Sequence, residues 1–184
     1  MSTINYEALK KNIIYVIKES QIKIGYSHNS INLNYPLDSL NRLFGTGFSE
    51  SEILPVLNAF REYAKKELGD IKISLFEGRY CLTVSAEGVD YVHENIKDSG
   101  FLTNFINLLS DHTKELTIDD ILQVFHQYSN KVSCTKVVND EFNYVVFFED
   151  GIPDDFRYCI DIHSGHAIYH RLTPGDFEAF DFKF

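Results

Sequence analysis

The sequence predicts an α+β protein in two parts, and three observations carry that prediction. Tyr6, Leu9, Ile13, Val16 and Ile17 recur at helical spacing. Ile71, Ile73 and Leu75 alternate with a period of two, as do Tyr80, Leu82 and Val84, on either side of Glu77-Gly78, which reads as a hairpin. Beyond residue 100, two helical patterns precede four strand-like runs, giving two helices followed by a small antiparallel sheet. The polar stretch 95–100 ends in glycine and suits a junction, which divides the chain into residues 1–99 and 100–184.

Composition is that of a globular protein, with 44% hydrophobic and 24% charged residues. The opening MSTINYEALKKN has no apolar stretch behind its charges, so no secretory signal is expected. No apolar run is long enough to span a bilayer. Cys81, Cys134 and Cys159 are widely spaced and lack a CxxC arrangement, which favours reduced thiols and a cytoplasmic location. The net charge of −10 is uneven: residues 1–100 carry 11 basic and 13 acidic side chains, residues 101–184 carry 6 and 14. Such a field repels phosphate backbones and anionic lipid heads, and is compatible with a basic protein partner.

The elements of the first part follow from local rules. Tyr6 to Ile17 form a first helix docking one face on a core. Ile31, Leu33 and Tyr35 alternate with Asn32 and Asn34 up to Pro36, a short strand that stops where proline removes a donor. Leu37, Leu40, Leu43 and Phe44 form a short helix closed at Gly45. Ser49-Glu50-Ser51-Glu52 has capping-box spacing, and Ile53, Leu54, Leu57, Phe60 and Tyr63 are the expected buried stripe of the next helix. Pro55 predicts a kink there, or a helix that truly begins near it. Gly69 ends that helix, the hairpin follows, and Ser85 caps a last helix through Val89, Val92 and Ile96.

The run RYCLTVSAEGVDYVHENI resembles the end of many bacterial winged-helix regulators, where the second wing strand enters a helix through an LT-x-x-x-G turn; Leu82, Thr83, Gly88 and Tyr91 carry the likeness. It covers about half the chain and implies a winged-helix-like N-terminal part. DNA reading on such a fold needs donors and cations at the start of the second motif helix. Here that position holds Glu50 and Glu52, and Arg79 is the cation at the wing tip, beside Glu77. Arg42, Arg61, Lys65 and Lys66 supply further positive charge, interleaved with Glu62 and Glu67. DNA is therefore disfavoured as a partner, although a dimer joining the Lys10, Lys11 and Lys18 faces would restore positive surface. More broadly, NYPLDSL and IYHRLTPGDF resemble features of an uncharacterised bacterial domain-of-unknown-function family of similar length, a resemblance that implies no activity.

In the second part, Phe101, Phe105, Leu108 and Leu109 mark one helix, and Thr117-Ile118-Asp119-Asp120 opens another with Ile121, Leu122, Val124, Phe125 and Tyr128. Strands are expected over 132–138, 144–148, 156–162 and 167–172. Thr173, Pro174 and Asp176 read as a short helix start, after which Phe177, Phe180, Phe182 and Phe184 close the core among Asp176, Glu178 and Asp181, or form an acidic–aromatic peptide for a partner.

One constellation has metal chemistry. If Ser164-Gly165 is a two-residue turn, residues whose numbers sum to 329 face each other. One sheet face then collects Cys159, Asp161, His163, His166 and His170, an N, S and O set that zinc accepts, and the other takes Tyr158, Ile160, Ile162, Ala167 and Tyr169. The spacing is not a specific metal motif, and a polar solvent face is the plainer reading. No GxGxxG, P-loop, GxSxG or HExxH occurs, the adjacent acidic pairs are caps and loop charges, and no catalytic residue is assigned. The sequence thus points first to a non-catalytic cytoplasmic protein acting through protein contacts. A DNA-binding regulator whose C-terminal part dimerises or senses a ligand comes second, and a metal-binding domain third.

Overall fold

The computed structural model describes residues 4–138 and 141–180. They form a mixed α+β chain with seven helices and two antiparallel sheets, in two compact units, Met1–Lys97 and Asp98–Phe184.

The first unit runs α1 (Tyr6–Ile24), β1 (Ile31–Pro36), α2 (Leu37–Phe44), α3 (Glu50–Leu68), β2 (Ile71–Phe76), β3 (Arg79–Val84) and α4 (Ala86–Asn95). Its sheet order is β1-β3-β2, so β3 is central and pairs antiparallel with both neighbours, Leu82 opposite Leu33 and Ile73. Helix α1 buries Leu9, Ile13, Ile14 and Ile17. Helix α2 stops at Gly45 in the left-handed region (φ 70°), whose N–H returns to the helix carbonyls.

Helix α3 departs from expectation in two respects. It runs unbroken from Glu50 through Pro55 to Leu68, so the helix does not start late at the proline. The Glu52 carboxylate accepts hydrogen bonds from the Ser49 backbone N–H (2.9 Å) and hydroxyl (2.7 Å), anchoring the first turn ahead of the proline. Ser51, whose carbonyl loses the proline's missing bond, is exposed and open to water. The buried stripe is Ile53, Leu57, Phe60, Ala64 and Leu68, a clean helical period, which leaves Leu54 and Tyr63 exposed at 42% and 48%. Gly88 of α4 lies against the last turn of α3, where a Cβ would sit 2.2 Å from the Leu68 carbonyl oxygen.

The second unit comprises α5 (Phe101–Ser110), α6 (Ile118–His126), β4 (Val132–Lys136), β5 (Tyr144–Phe148), β6 (Arg157–His163), β7 (His166–Leu172) and α7 (Pro174–Ala179), with the sheet in sequence order. An aromatic core fills one sheet face: Phe101 and Phe105 of α5 and Phe125 of α6 meet Phe148 and Tyr158, ring centroids 4.8–5.9 Å apart. Tyr169 completes it, 4.9 Å from Phe105. The other face carries a small apolar cluster of Val137, Phe142, Val145 and Cys159, packed by Phe147, Leu172 and Phe177 of α7. Phe177 thus helps close a core, while Phe180 is 52% exposed; Asp181, Phe182 and Phe184 lie outside the described residues.

Candidate functional site

Two exposed stretches of the first unit stand out, the start of α3 and the β2–β3 hairpin tip. Burial raises the Tyr80 phenol pKa, and the Glu50 charge raises it further. Leu75 is the cross-strand partner of Tyr80, and Phe76 that of Arg79. Glu77 and Gly78 both take positive φ (48° and 74°), the geometry of a tight two-residue turn. Leu75 and Phe76 are 55% and 67% exposed, and Leu54 lies one helical turn beyond Glu50 on the same side of α3. The first unit thus exposes apolar side chains at the hairpin tip and on α3, and acidic ones on the first turn of α3, where Glu52 is held below its ordinary pKa by its bonds from Ser49.

The cations that a nucleic-acid surface would need are scattered. Arg61 and Lys65 lie on α3 beyond Pro55, and each meets an acid, Arg61 Nε at 3.5 Å from Glu62 and Lys65 Nζ at 3.4 Å from Asp70. Lys66 is exposed on the same helix, Arg42 lies on α2 with a bond to Ser39, and Arg79 opens β3. None of them is on the first turn of α3.

In the second unit, Ser164 and Gly165 also form a positive-φ turn (50° and 75°), and the register has His163 opposite His166, Asp161 opposite Ile168 and Cys159 opposite His170. The turn thus brings His163 and His166 together. It does not assemble the five-residue set: Cys159 is buried in the apolar cluster, where burial pushes its thiol pKa up to about 11, the wrong direction for a thiolate ligand. Asp161 is half-buried, two pairs along the ladder from His163 and His166, and His170 is exposed, four pairs along. Among the described residues no three His, Cys, Asp or Glu side chains are grouped to hold a metal ion. The His112 ring, from the α5–α6 loop, lies 5.9 Å from that of His166, and sequence spacing gives no hint of it.

Two polar clusters also escaped the sequence patterns. Asp90 of α4 accepts the Tyr26 hydroxyl at 2.7 Å, while His28 Nδ1 lies 2.7 Å from its other oxygen; Tyr26 stacks on His93 at 4.0 Å. Tyr26 and His28 together hold the Asp90 pKa below its usual value. In the second unit the buried Tyr158 hydroxyl donates to Asp154 at 2.7 Å, and burial raises the Asp154 pKa despite that bond and nearby Arg171. The first joins residues more than 60 positions apart, so only tertiary packing could disclose it, whereas Asp154 and Tyr158 are near neighbours in sequence.

A family model described as "Domain of unknown function, E. rectale Gene description (DUF3877)" matches residues 6–180. The chain belongs to that family. No curated protein and no solved structure matches it. The DUF3877 match runs across both units, so the family's sequence signature covers the two together rather than either one alone. No described helix of this DUF3877 chain is long and apolar enough to cross a membrane.

Proposed function

We propose that the chain is a non-catalytic cytoplasmic protein that acts through protein contacts, with the first unit serving as a winged-helix-like docking module. One observation carries this reading: the first turn of α3, where a winged helix would meet phosphates, presents Glu50 and Glu52, and the same unit exposes Leu54, Leu75 and Phe76. A like charge about 4 Å away costs about 1 kcal/mol even in water, so two carboxylates there oppose a DNA backbone. Exposed leucine and phenylalanine offer apolar area to a protein instead.

The test has two arms. The full chain is titrated against labelled duplex DNA by fluorescence anisotropy at low and physiological salt. In parallel, a photo-crosslinking phenylalanine analogue at position 76 is irradiated in native lysate, with an analogue at exposed Ile168 as control. One protein captured from position 76 alone, and lost on Leu75→Asp, fits the proposal. Micromolar DNA binding that weakens steeply with salt would overturn it.

The order helix, strand, helix, helix, hairpin, helix with its β1-β3-β2 sheet favours a second reading, a DNA-binding regulator. Arg61, Lys65 and Lys66 would then supply phosphate contacts, and charge reversal at each would weaken binding.

A further inference from the structure

The two sheets leave four edge strands, β1, β2, β4 and β7. An edge strand offers unpaired N–H and C=O groups to any incoming strand, and proteins ordinarily blunt it with proline or charge. Strand β1 ends in Pro36, β4 ends in Lys136, and β7 carries Arg171 and two histidines. Strand β2, IKISLF, has one charged side chain, Lys72, and exposes Leu75 and Phe76.

The hairpin register fixes which backbone groups of β2 face outward. Phe76 opposite Arg79 flanks the two-residue turn, and at the far end of the same ladder the Ser85 N–H donates to the Asp70 carbonyl at 3.2 Å. Hydrogen-bonded pairs alternate along an antiparallel ladder, so Asp70, Lys72, Ser74 and Phe76 bond β3. Ile71, Ile73 and Leu75 then turn their N–H and C=O groups to the open edge. Among the described residues no other backbone group bonds these three. Their side chains share the face of buried Val84, Leu82 and Tyr80, their cross-strand partners, while Lys72, Ser74 and Phe76 share the outer face.

We infer that β2 pairs antiparallel with β2 of a second copy of this chain, joining two three-stranded sheets into one of six strands. The occupant follows from self-complementarity. Bonds must run between the outward residues of both strands, and centring the pair on Ser74 sets Ile73 opposite the partner's Leu75, twice over. The apolar face then continues across the two-fold axis and covers Leu75. On the outer face Phe76 meets the partner's Lys72, an aromatic–cation pair, and no charge of either β2 meets a like charge. Ser74 faces the partner's Ser74 in the close, non-hydrogen-bonded position. This rests on the docking reading above and names the chain itself as the occupant of the hairpin tip.

Sedimentation equilibrium of the full chain reads the association. One six-residue strand pair buries less than the roughly 1,200 Å² of a standard interface, so a dimer dissociating at roughly tens of micromolar is expected. Leu75→Pro removes an N–H that β3 does not use, so the hairpin keeps its ladder while the dimer loses two bonds and weakens at least about tenfold. Phe76→Lys sets ammonium groups opposite each other and should weaken it too; adding Lys72→Glu creates opposite-charge pairs at the same places and should restore it. Ser74→Cys should give a disulfide-linked dimer under mild oxidation. A chain that stays monomeric up to about 1 mM would overturn the inference. So would a dimer that neither Leu75→Pro nor Phe76→Lys weakens. A monomer whose position 76 still captures a different protein from lysate would overturn this inference alone and leave the docking reading standing.

Discussion

Gly88 makes a sharp test of how α4 is seated. Its backbone does not need glycine's left-handed freedom, but its space does. A Cβ there would lie 2.2 Å from the Leu68 carbonyl oxygen, 2.7 Å from that carbonyl carbon and 2.7 Å from Val84 Cγ1. Two of those atoms are backbone at the end of α3, so no rotamer change relieves them; α4 must move. Overpacking of this kind costs about 1–3 kcal/mol, and contacts this far inside the usual carbon separation of about 3.5 Å belong at the upper end. Alanine returns up to about 1 kcal/mol through better helix propensity. The net loss for Gly88→Ala is about 2 kcal/mol, or roughly 8–16 °C in Tm for a unit of this size. Scanning calorimetry of the full chain reads it directly. Gly175→Ala is the control, since nothing lies within 4 Å of its added Cβ and its backbone is not left-handed. A Gly88→Ala transition within about 2 °C of the parent would refute the close-packing argument.

Three further outcomes follow from the same geometry. Leu75→Ser and Phe76→Ser should each change stability by less than about 1 kcal/mol in urea unfolding, because the side chains are already largely in water, while abolishing capture at the hairpin tip. Asp120 is held at about 2 by its bonds from Lys114 and the Thr117 backbone and hydroxyl. Its folded pKa lies below the unfolded value of about 3.9, so its contribution is present above that value and lost as pH falls through about 2. Asp120→Asn should therefore flatten the stability-versus-pH curve between those values, and an unchanged curve would contradict the assignment. Cys159, buried with a raised thiol pKa, should resist a thiol-labelling reagent in the native chain, whereas exposed Cys134 reacts and unfolding releases both Cys159 and Cys81.

What could be read from the sequence was whatever one element decides by itself. The α1 stripe, the Pro36 and Gly45 boundaries and both two-residue turns follow from periodicity and backbone restriction, and the turn at Ser164-Gly165 set the register down to Cys159 opposite His170. Periodicity does not say what covers each face. The face bearing Cys159 had a polar reading because His163, His166 and His170 share it, yet at Cys159 it is sealed by Val145, Phe142 and Val137. Leu54 and Tyr63 fit a broad apolar stripe, but the α3 core needs one residue per turn from Ile53 to Leu68, and the two flanking residues stay outside. His112 beside His166, and Asp90 beneath Tyr26 and His28, depend on loops meeting across the fold, for which spacing carries no signal.

The two hairpins share one turn chemistry and put it to different ends. Ser164-Gly165 is buttressed: the Leu116 N–H donates to the Gly165 carbonyl at 2.8 Å, and a Cβ on Gly165 would meet Glu115 at 2.7 Å. The α5–α6 connection thereby locks that turn, and the side chains at its end are histidines at home in water. Glu77-Gly78 has no such support, since nothing lies within 4 Å of where a Cβ on Gly78 would stand, and the residues leading into it are leucine and phenylalanine. A free tip would ordinarily be polar, because exposed apolar area at a strand end invites unwanted pairing. In the docking role proposed above, an apolar partner surface would cover Leu75 and Phe76. The buried β3 ladder behind them, with Tyr80 and Leu82 almost wholly enclosed, gives that tip a rigid base. In that proposed role, an apolar tip on a rigid stem suits a partner surface that is apolar at its centre.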